Sequence, residues 1–178
     1  MKDTAAARRY AKAFAATFGD PAALEKAVAE LAGFAGVVEQ SRELRSVMQN
    51  PAVGEAAKTA ILDEVLTRMG ASATTARLLS LIRSRGRLAL ARRIAVEAER
   101  IAFERLGKTR VEVTSATALS DADRAELTQR MSALSGKEAV VTTRVDPSLI
   151  GGVVARIGSV VYDGSVKNQL MALRLGMG

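Results

Sequence analysis

The chain contains no cysteine, no histidine and no tryptophan, and aromatic residues make up only 3% of it. Without cysteine there are no disulfides and no thiolate chemistry, and without cysteine or histidine no zinc site of the usual kind. Histidine is also the side chain most used for proton transfer near neutral pH, so its absence lowers the prior for catalysis. Carboxylate–metal and Ser–Lys chemistries remain open on composition alone. No apolar run approaches the ~18 residues of a membrane span. The longest, Leu31 to Val38, holds two glycines. The opening Met1-Lys2-Asp3-Thr4 lacks the apolar stretch of a secretory signal. The basic, amphipathic segment from Ala5 to Phe18 invites comparison with a mitochondrial presequence. A structural helix is the preferred reading, because Thr4 or Asp3 can cap it and its pattern runs straight into a second helix.

What is present is a chain of 178 residues, 48% hydrophobic and 25% charged, which reads as globular. A core made of Ala, Leu, Val and Ile favours helices, since Ala and Leu have the best intrinsic propensities. The net charge of +7 suits an acidic partner, a nucleic acid or an anionic surface. The basic residues are scattered, however, and mostly matched by Glu and Asp on expected helices. The clusters Arg83–Arg85–Arg87 and Arg92–Arg93 are short, so solvated helix faces are preferred over a nucleic-acid stripe.

Helical periodicity dominates residues 4–106. Ala7, Tyr10, Ala11, Phe14, Ala15 and Phe18 form one continuous stripe, which Gly19 ends. Asp20-Pro21 opens a second helix as N-cap and first-turn proline, running to about Gln40. Ser41 caps a short third helix through Met48, and Asn50-Pro51 breaks the chain. A fourth helix fits Glu55 to Met69 with Gly70 as its stop. Ser72 caps a fifth over 73–84, which carries Leu78, Leu79, Leu81 and Ile82. After the turn Ser84-Arg85-Gly86-Arg87, a sixth runs from Leu88 to Leu106. Six helices with short connections predict a bundle.

The period then changes to two. Arg110 to Thr114 alternates as a half-buried strand. Ser120-Asp121-Ala122-Asp123 resembles a capping box with Asp in place of Glu, opening a helix to about Leu134 that Gly136 ends. Ala139 to Val145 is a second strand, and Asp146-Pro147 turns the chain. Gly152 to Ile157 and Val160 to Tyr162 make a hairpin around Gly158-Ser159. A last helix is expected from Ser165 to Leu175. The expected class is therefore α+β: a six-helix bundle over residues 1–106, then a small α/β domain over 107–178.

Candidate chemistry is thin. Gly107-Lys108-Thr109 resembles the end of a phosphate-binding loop, but the glycine required five positions earlier is Ala102, and the order is helix then strand. A small phosphate-handling enzyme rests on that fragment alone. Gly151-Gly152 and Gly158 read as a bulge and a tight turn rather than a dinucleotide fingerprint. Asp121, Asp123 and Glu126 are first-turn carboxylates favoured by the helix dipole, and Asp163 beside Gly164 is a turn residue. On the first helix, Ala6, Ala13 and Ala16 add small side chains beyond the main stripe, as a face for a second helix would need.

The stretch from Val145 to Ile157 with Gly158, then Val161-Tyr162-Asp163-Gly164-Ser165-Val166, resembles the signature of the delta subunit of F-type ATP synthases, the family of the mitochondrial oligomycin-sensitivity-conferring protein. Asp146, Gly151, Gly152, Arg156, Gly158, Asp163, Gly164 and Ser165 carry it without a gap. Arg9-Tyr10-Ala11-Lys12-Ala13 resembles the family's opening helix, Asn50-Pro51 with Lys58 and Ile61-Leu62 its middle segment, and Arg85-Gly86-Arg87-Leu88 its following turn.

The resemblance implies a stator connector without catalytic residue, metal or cofactor. Its N-terminal domain would hold an N-terminal helix of an alpha subunit in a groove between the first and fifth helices. The matching positions are Tyr10, Ala11, Ala13, Phe14 and Thr17 with Leu78, Leu79 and Ile82. The C-terminal domain would face b-type peripheral-stalk subunits, with Lys167, Asn168 and Arg174 on the last helix. The family's last helix is often longer and more charged than the ending Leu173-Arg174-Leu175-Gly176-Met177-Gly178. Neither nucleic acid nor membrane insertion is expected. Met1 close to the first helix favours a bacterial protein, peripheral on the cytoplasmic face of the inner membrane. Ala13→Asp and Leu79→Asp are expected to weaken alpha binding while leaving the fold largely intact.

Overall fold

A computed structural model describes residues 2–166, 168 and 170. Among these residues there are seven α-helices and one four-stranded sheet, an α+β chain. The chain divides into two compact units, Met1–Leu106 and Gly107–Gly178. In the first lie α1 (Lys2–Ala16), α2 (Pro21–Gln40), α3 (Arg42–Gln49), α4 (Glu55–Arg68), α5 (Ala73–Ser84) and α6 (Ala91–Leu106). In the second lie β1 (Lys108–Ser115), α7 (Asp121–Ser135), β2 (Glu138–Val145), β3 (Val153–Ile157) and β4 (Val160–Asp163).

The caps follow the local chemistry. Asp20 accepts from the amides of Ala22 and Ala23, both at 3.1 Å, with Pro21 in the first turn. Ser41 accepts from Leu44 N at the start of α3. Ser120 accepts from Asp123 N while Asp123 reaches back to Ser120 N at 3.3 Å, so aspartate closes the box. Three helix boundaries differ from the periodicity by two residues or more. α1 is already helical at Lys2, which puts Asp3 and Thr4 inside its first turn, where Asp3 favours the dipole. It ends at Ala16 because Thr17 turns back, its amide and its hydroxyl both donating to Phe14 O. α6 begins at Ala91, after Leu88–Leu90 make a single 3-10 turn.

The core of the first unit centres on α6, which packs most extensively against α1 and α2. Its buried face is Ala91, Ile94, Ala95, Ala98 and Ala102, spaced at helical intervals. Ala7, Ala11, Phe14 and Ala15 of α1 and Leu24, Ala27, Leu31, Phe34 and Ala35 of α2 join the same cluster. α3 has no buried residue and rides on the outside.

In the second unit the sheet order is β2-β1-β3-β4. β1 pairs with β2 in parallel, joined by the α7 crossover, whereas β1–β3 and β3–β4 are antiparallel. Val111, Val113, Ala139, Ala155 and Met131 of α7 form its core. The expected last helix, Ser165 to Leu175, falls mostly outside the described residues, as do Lys167 and Arg174. Val166, Asn168 and Leu170 are helical where described, and Asn168 is exposed.

The glycine pair at 151–152 allows one close crossing. A Cβ on Gly152 would lie 2.3 Å from Gly164 O, and its φ of +77° is already in the region that side chains disfavour. Gly158 also has a positive φ but open space around it. Gly152→Ala is therefore expected to destabilise the second unit by more than ~3 kcal/mol, and Gly158→Ala by only about 1 kcal/mol. Amide hydrogen exchange of β1 and β3 in both variants measures the difference, with α6 amides as the unaffected reference.

Candidate partner-binding face on the first and fifth helices

α1 is held from one side. Its alanine stripe lies on α6, and Arg105 of α6 donates from Nη1 to Ala15 O at 2.9 Å and Phe18 O at 3.1 Å. These bonds satisfy carbonyls that a helix end leaves without partners. Arg8 adds an ion pair to Glu97 at 3.0 Å. α5 is held instead by α2. Glu30 of α2 accepts from Ser72 N at 2.9 Å, Ser72 Oγ at 2.7 Å and Thr75 Oγ1 at 2.8 Å, fixing the N-terminus of α5. α1 and α5 touch each other little, and Arg87 Nη1, in the turn after α5, donates to Tyr10 Oη at 3.2 Å.

Of the eight groove residues expected from the resemblance, five are core. Ala11, Phe14, Leu78, Leu79 and Ile82 are buried within this chain and offer a partner little surface. Tyr10 is half-buried, and Ala13 and Thr17 are exposed. With half-buried Ala6, Tyr10 and Ala13 run along one edge of α1 at helical spacing, and Thr17 follows just past its end. On α5 the open side carries Arg77 and Leu81, the latter 46% exposed. Leu81 was the available signal. Four apolar residues within Leu78 to Ile82 cannot all face one core, and Leu81 is the one off the stripe formed by Thr75, Leu78, Leu79 and Ile82. Leu79→Asp, expected to spare the fold, would place a charge in a fully buried position and unfold the unit.

The basic cluster is dispersed. Arg83 pairs with Glu55, Arg87 with Tyr10, Arg92 with Glu39 and Arg93 with Asp3. Gly107 sits between α6 and β1 with a φ of +64°, so Lys108 and Thr109 begin a strand.

Five of the eight C-terminal signature residues, Gly151, Gly152, Asp163, Gly164 and Ser165, meet in one strap. Gly164 N donates to Val153 O at 2.9 Å and Val166 N to Gly151 O at 3.0 Å. Asp163 accepts from Ser165 N at 2.9 Å, and buried Ser165 accepts from Asn168 N at 3.2 Å. The Ser165 hydroxyl and then its amide hold the Asp163 carboxyl below the usual range. Asp146 accepts from Ser148 N, closing the 3-10 turn Pro147–Leu149. Arg156 is exposed on β3, opposite Glu112 of β1. The strap is thus a backbone device with capping side chains.

Burial of Glu30 pushes its carboxyl up, but the three donors from Ser72 and Thr75 outweigh burial and leave it lowered. A lowered folded value means its stabilisation is complete above the unfolded value of about 4.3 and is lost as pH falls through the lower folded value. Glu30→Gln should cost about 1 kcal/mol at neutral pH and flatten the acid limb below pH ~4. Urea unfolding across pH 3 to 7 reads both effects.

Residues 6–177 match the family described as ATP synthase delta (OSCP) subunit. The ATP synthase subunit delta of Geotalea uraniireducens is 37% identical over 174 residues, covering 98% of this chain and 97% of that protein. The ATP synthase subunit delta of Desulforamulus reducens is 39% identical over 170 residues, covering 96% and 93%. Among solved structures, a chain of the Toxoplasma gondii mitochondrial ATP synthase hexamer superposes with a TM-score of 0.71 at 20% identity, covering 96% of each chain, a likeness of fold. On the match across nearly its whole length, the chain belongs to the ATP synthase delta (OSCP) subunit family.

Proposed function

We propose that this chain is a stator connector, a delta subunit that ties the catalytic head of a proton-translocating F-type ATP synthase to its peripheral stalk. In that role it carries no catalytic group of its own, and catalysis belongs to other subunits. Its first unit, read as a six-helix bundle over residues 1–106, binds the N-terminal helix of an alpha subunit. The observation that carries this is the edge of α1. It is anchored mainly on α6, and it presents Ala6, Tyr10 and Ala13, with Thr17 just beyond its end, while α5 offers exposed Leu81. Small side chains on that edge let a second helix approach closely.

The second unit, residues 107–178, faces the b-type stalk subunits. It exposes Ile150, Val160, Val161, Tyr162, Val166 and Leu170, an apolar set suited to a protein surface. No described helix is long and apolar enough to cross a membrane, and the protein is read as peripheral, on the cytoplasmic face of a bacterial inner membrane. Rotation yields ATP only while the head is held still, so the connector needs slow dissociation more than fast association. An interface of standard size, about 1,600 Å², is compatible with nanomolar binding, about −12 kcal/mol.

Ala13→Asp and Leu81→Asp sit on exposed positions and should leave the thermal midpoint within a few degrees. Each should weaken binding of an alpha-subunit N-terminal peptide by tenfold or more, because the introduced charge is desolvated without a partner. Calorimetric titration of the full chain with that peptide decides the matter; unchanged affinity in both variants would remove the α1/α5 assignment.

A further inference from the structure

A cleft of about 750 Å³ opens elsewhere in the first unit, between the C-terminal ends of α2 and α5, the exposed helix α3 and the first turns of α4 and α6. Its size is that of a site for a small organic ligand. One part of the lining is apolar, from Val38, Met48 and Leu88. The other is cationic: Arg45, Lys58, Arg83 and Arg92 face only two carboxylates, Glu39 and Glu55, leaving two positive charges over.

The cations are set into the structure. Lys58 is 8% exposed, and its ammonium reaches Glu55 only at 3.7 Å, beyond hydrogen-bond length. The Arg83 side chain is 12% exposed and donates from Nη1 to Glu55 at 2.6 Å. Its Nε is buried without a hydrogen-bond partner. Arg45 donates to the backbone carbonyl of Glu39. Buried donors without partners are uncommon, because each forfeits its hydration for nothing. Glu55 is the opposite case. It is 72% exposed, lies in the first turn of α4, and reaches inward to bridge Arg83 and Lys58.

We propose that this cleft binds an amphiphilic anion, a carboxylate or phosphate head on an apolar body, and that Glu55 occupies the head's position when the site is empty. The head takes the donors of Arg83 and Lys58 as Glu55 swings out to solvent, and the body lies against Val38, Met48 and Leu88. Arginine suits the head because its planar fork matches both oxyanions. The site is separate from the α1 edge and does not depend on the connector reading.

Calorimetric titration of the full chain with dodecyl phosphate, below its micellar concentration and at low salt, tests the assignment. Saturable one-to-one binding is expected. Glu55→Gln removes the internal competitor and should tighten binding, whereas Arg92→Glu, at an exposed position, should weaken it roughly threefold or more without lowering the thermal midpoint. Absence of saturable binding overturns the proposal. So does equal affinity for dodecyl maltoside, which lacks the charge, or for inorganic phosphate, which lacks the body. Weakening by Glu55→Gln would also overturn it, since Glu55 would then be part of the site and not its competitor. Phosphatidylcholine vesicles containing phosphatidylglycerol separate the sources. Co-sedimentation sensitive to Arg92→Glu assigns a lipid; dodecyl phosphate binding without co-sedimentation assigns a free amphiphile.

Discussion

The arrangement of the first unit depends on alanine packing along α6. Ala91, Ala95, Ala98 and Ala102 line its buried face, and alanines of α1 and α2 meet them. A helix whose buried face ends at Cβ accepts neighbours close in, and alanine loses no side-chain entropy on burial. The two large aromatic groups in this core, Phe14 and Phe34, fill space that alanine leaves. The consequence reaches the surface. α1 spends its anchoring contacts on α6, through its alanines and through Arg105 at its C-terminal carbonyls. Its remaining edge is therefore firmly held and exposed at Ala13, which suits a helix-binding surface: a partner pays little ordering entropy on the receiving side.

Charge is handled in two different ways within that unit. Most pairs, such as Arg68–Glu64 and Arg92–Glu39, are solvent-exposed and contribute little to stability. Lys58 and Arg83 are different, since both are largely buried and share one exposed carboxylate. That carboxyl is held below its usual range first by the Arg83 hydrogen bond. Desolvated cations with incomplete pairing are costly in a purely structural role, which makes the cleft, and not the exposed ion pairs, the place where a ligand would be stabilised.

Much of this was legible in the residues. The caps Asp20, Ser41, Ser72 and Ser120 place helix starts because an N-cap is a local hydrogen bond, complete within four residues. The change of period near Gly107 marks the passage from helices to sheet. The strand order was not legible. Alternation fixes which side chains face the core, but not that β1 lies between β2 and β3. Five of the eight expected groove residues are buried for a related reason. Leu78, Leu79 and Ile82 stand out because they are apolar, and apolar residues at helical spacing face a chain's own core first. The exposed members, Ala13 and Thr17, are small side chains whose spacing alone does not separate a partner face from ordinary helix surface. The meeting of Arg83 with Lys58 was hidden too, because it joins different helices through a third residue.

The hydrogen bonds of the C-terminal motif give its glycines a structural role, as the reading of a bulge and a tight turn expects. Its glycines invite a ligand-loop interpretation, yet the backbone around Gly151 and Gly152 is occupied by the chain's own return at Gly164 to Val166. Two backbone bonds and the Asp163–Ser165 turn fix the direction in which the chain leaves β4. Ser165 then caps the residues that follow. Ile150 sits just before the crossing with a φ of +67°, unusual for a branched side chain, and is 71% exposed. A strained, outward isoleucine beside a rigid strap persists because the surrounding bonds over-determine the backbone. The motif therefore acts by aiming what comes next: it presents Ile150, Val166 and Leu170 at the surface where the second unit, in the connector reading, meets the stalk.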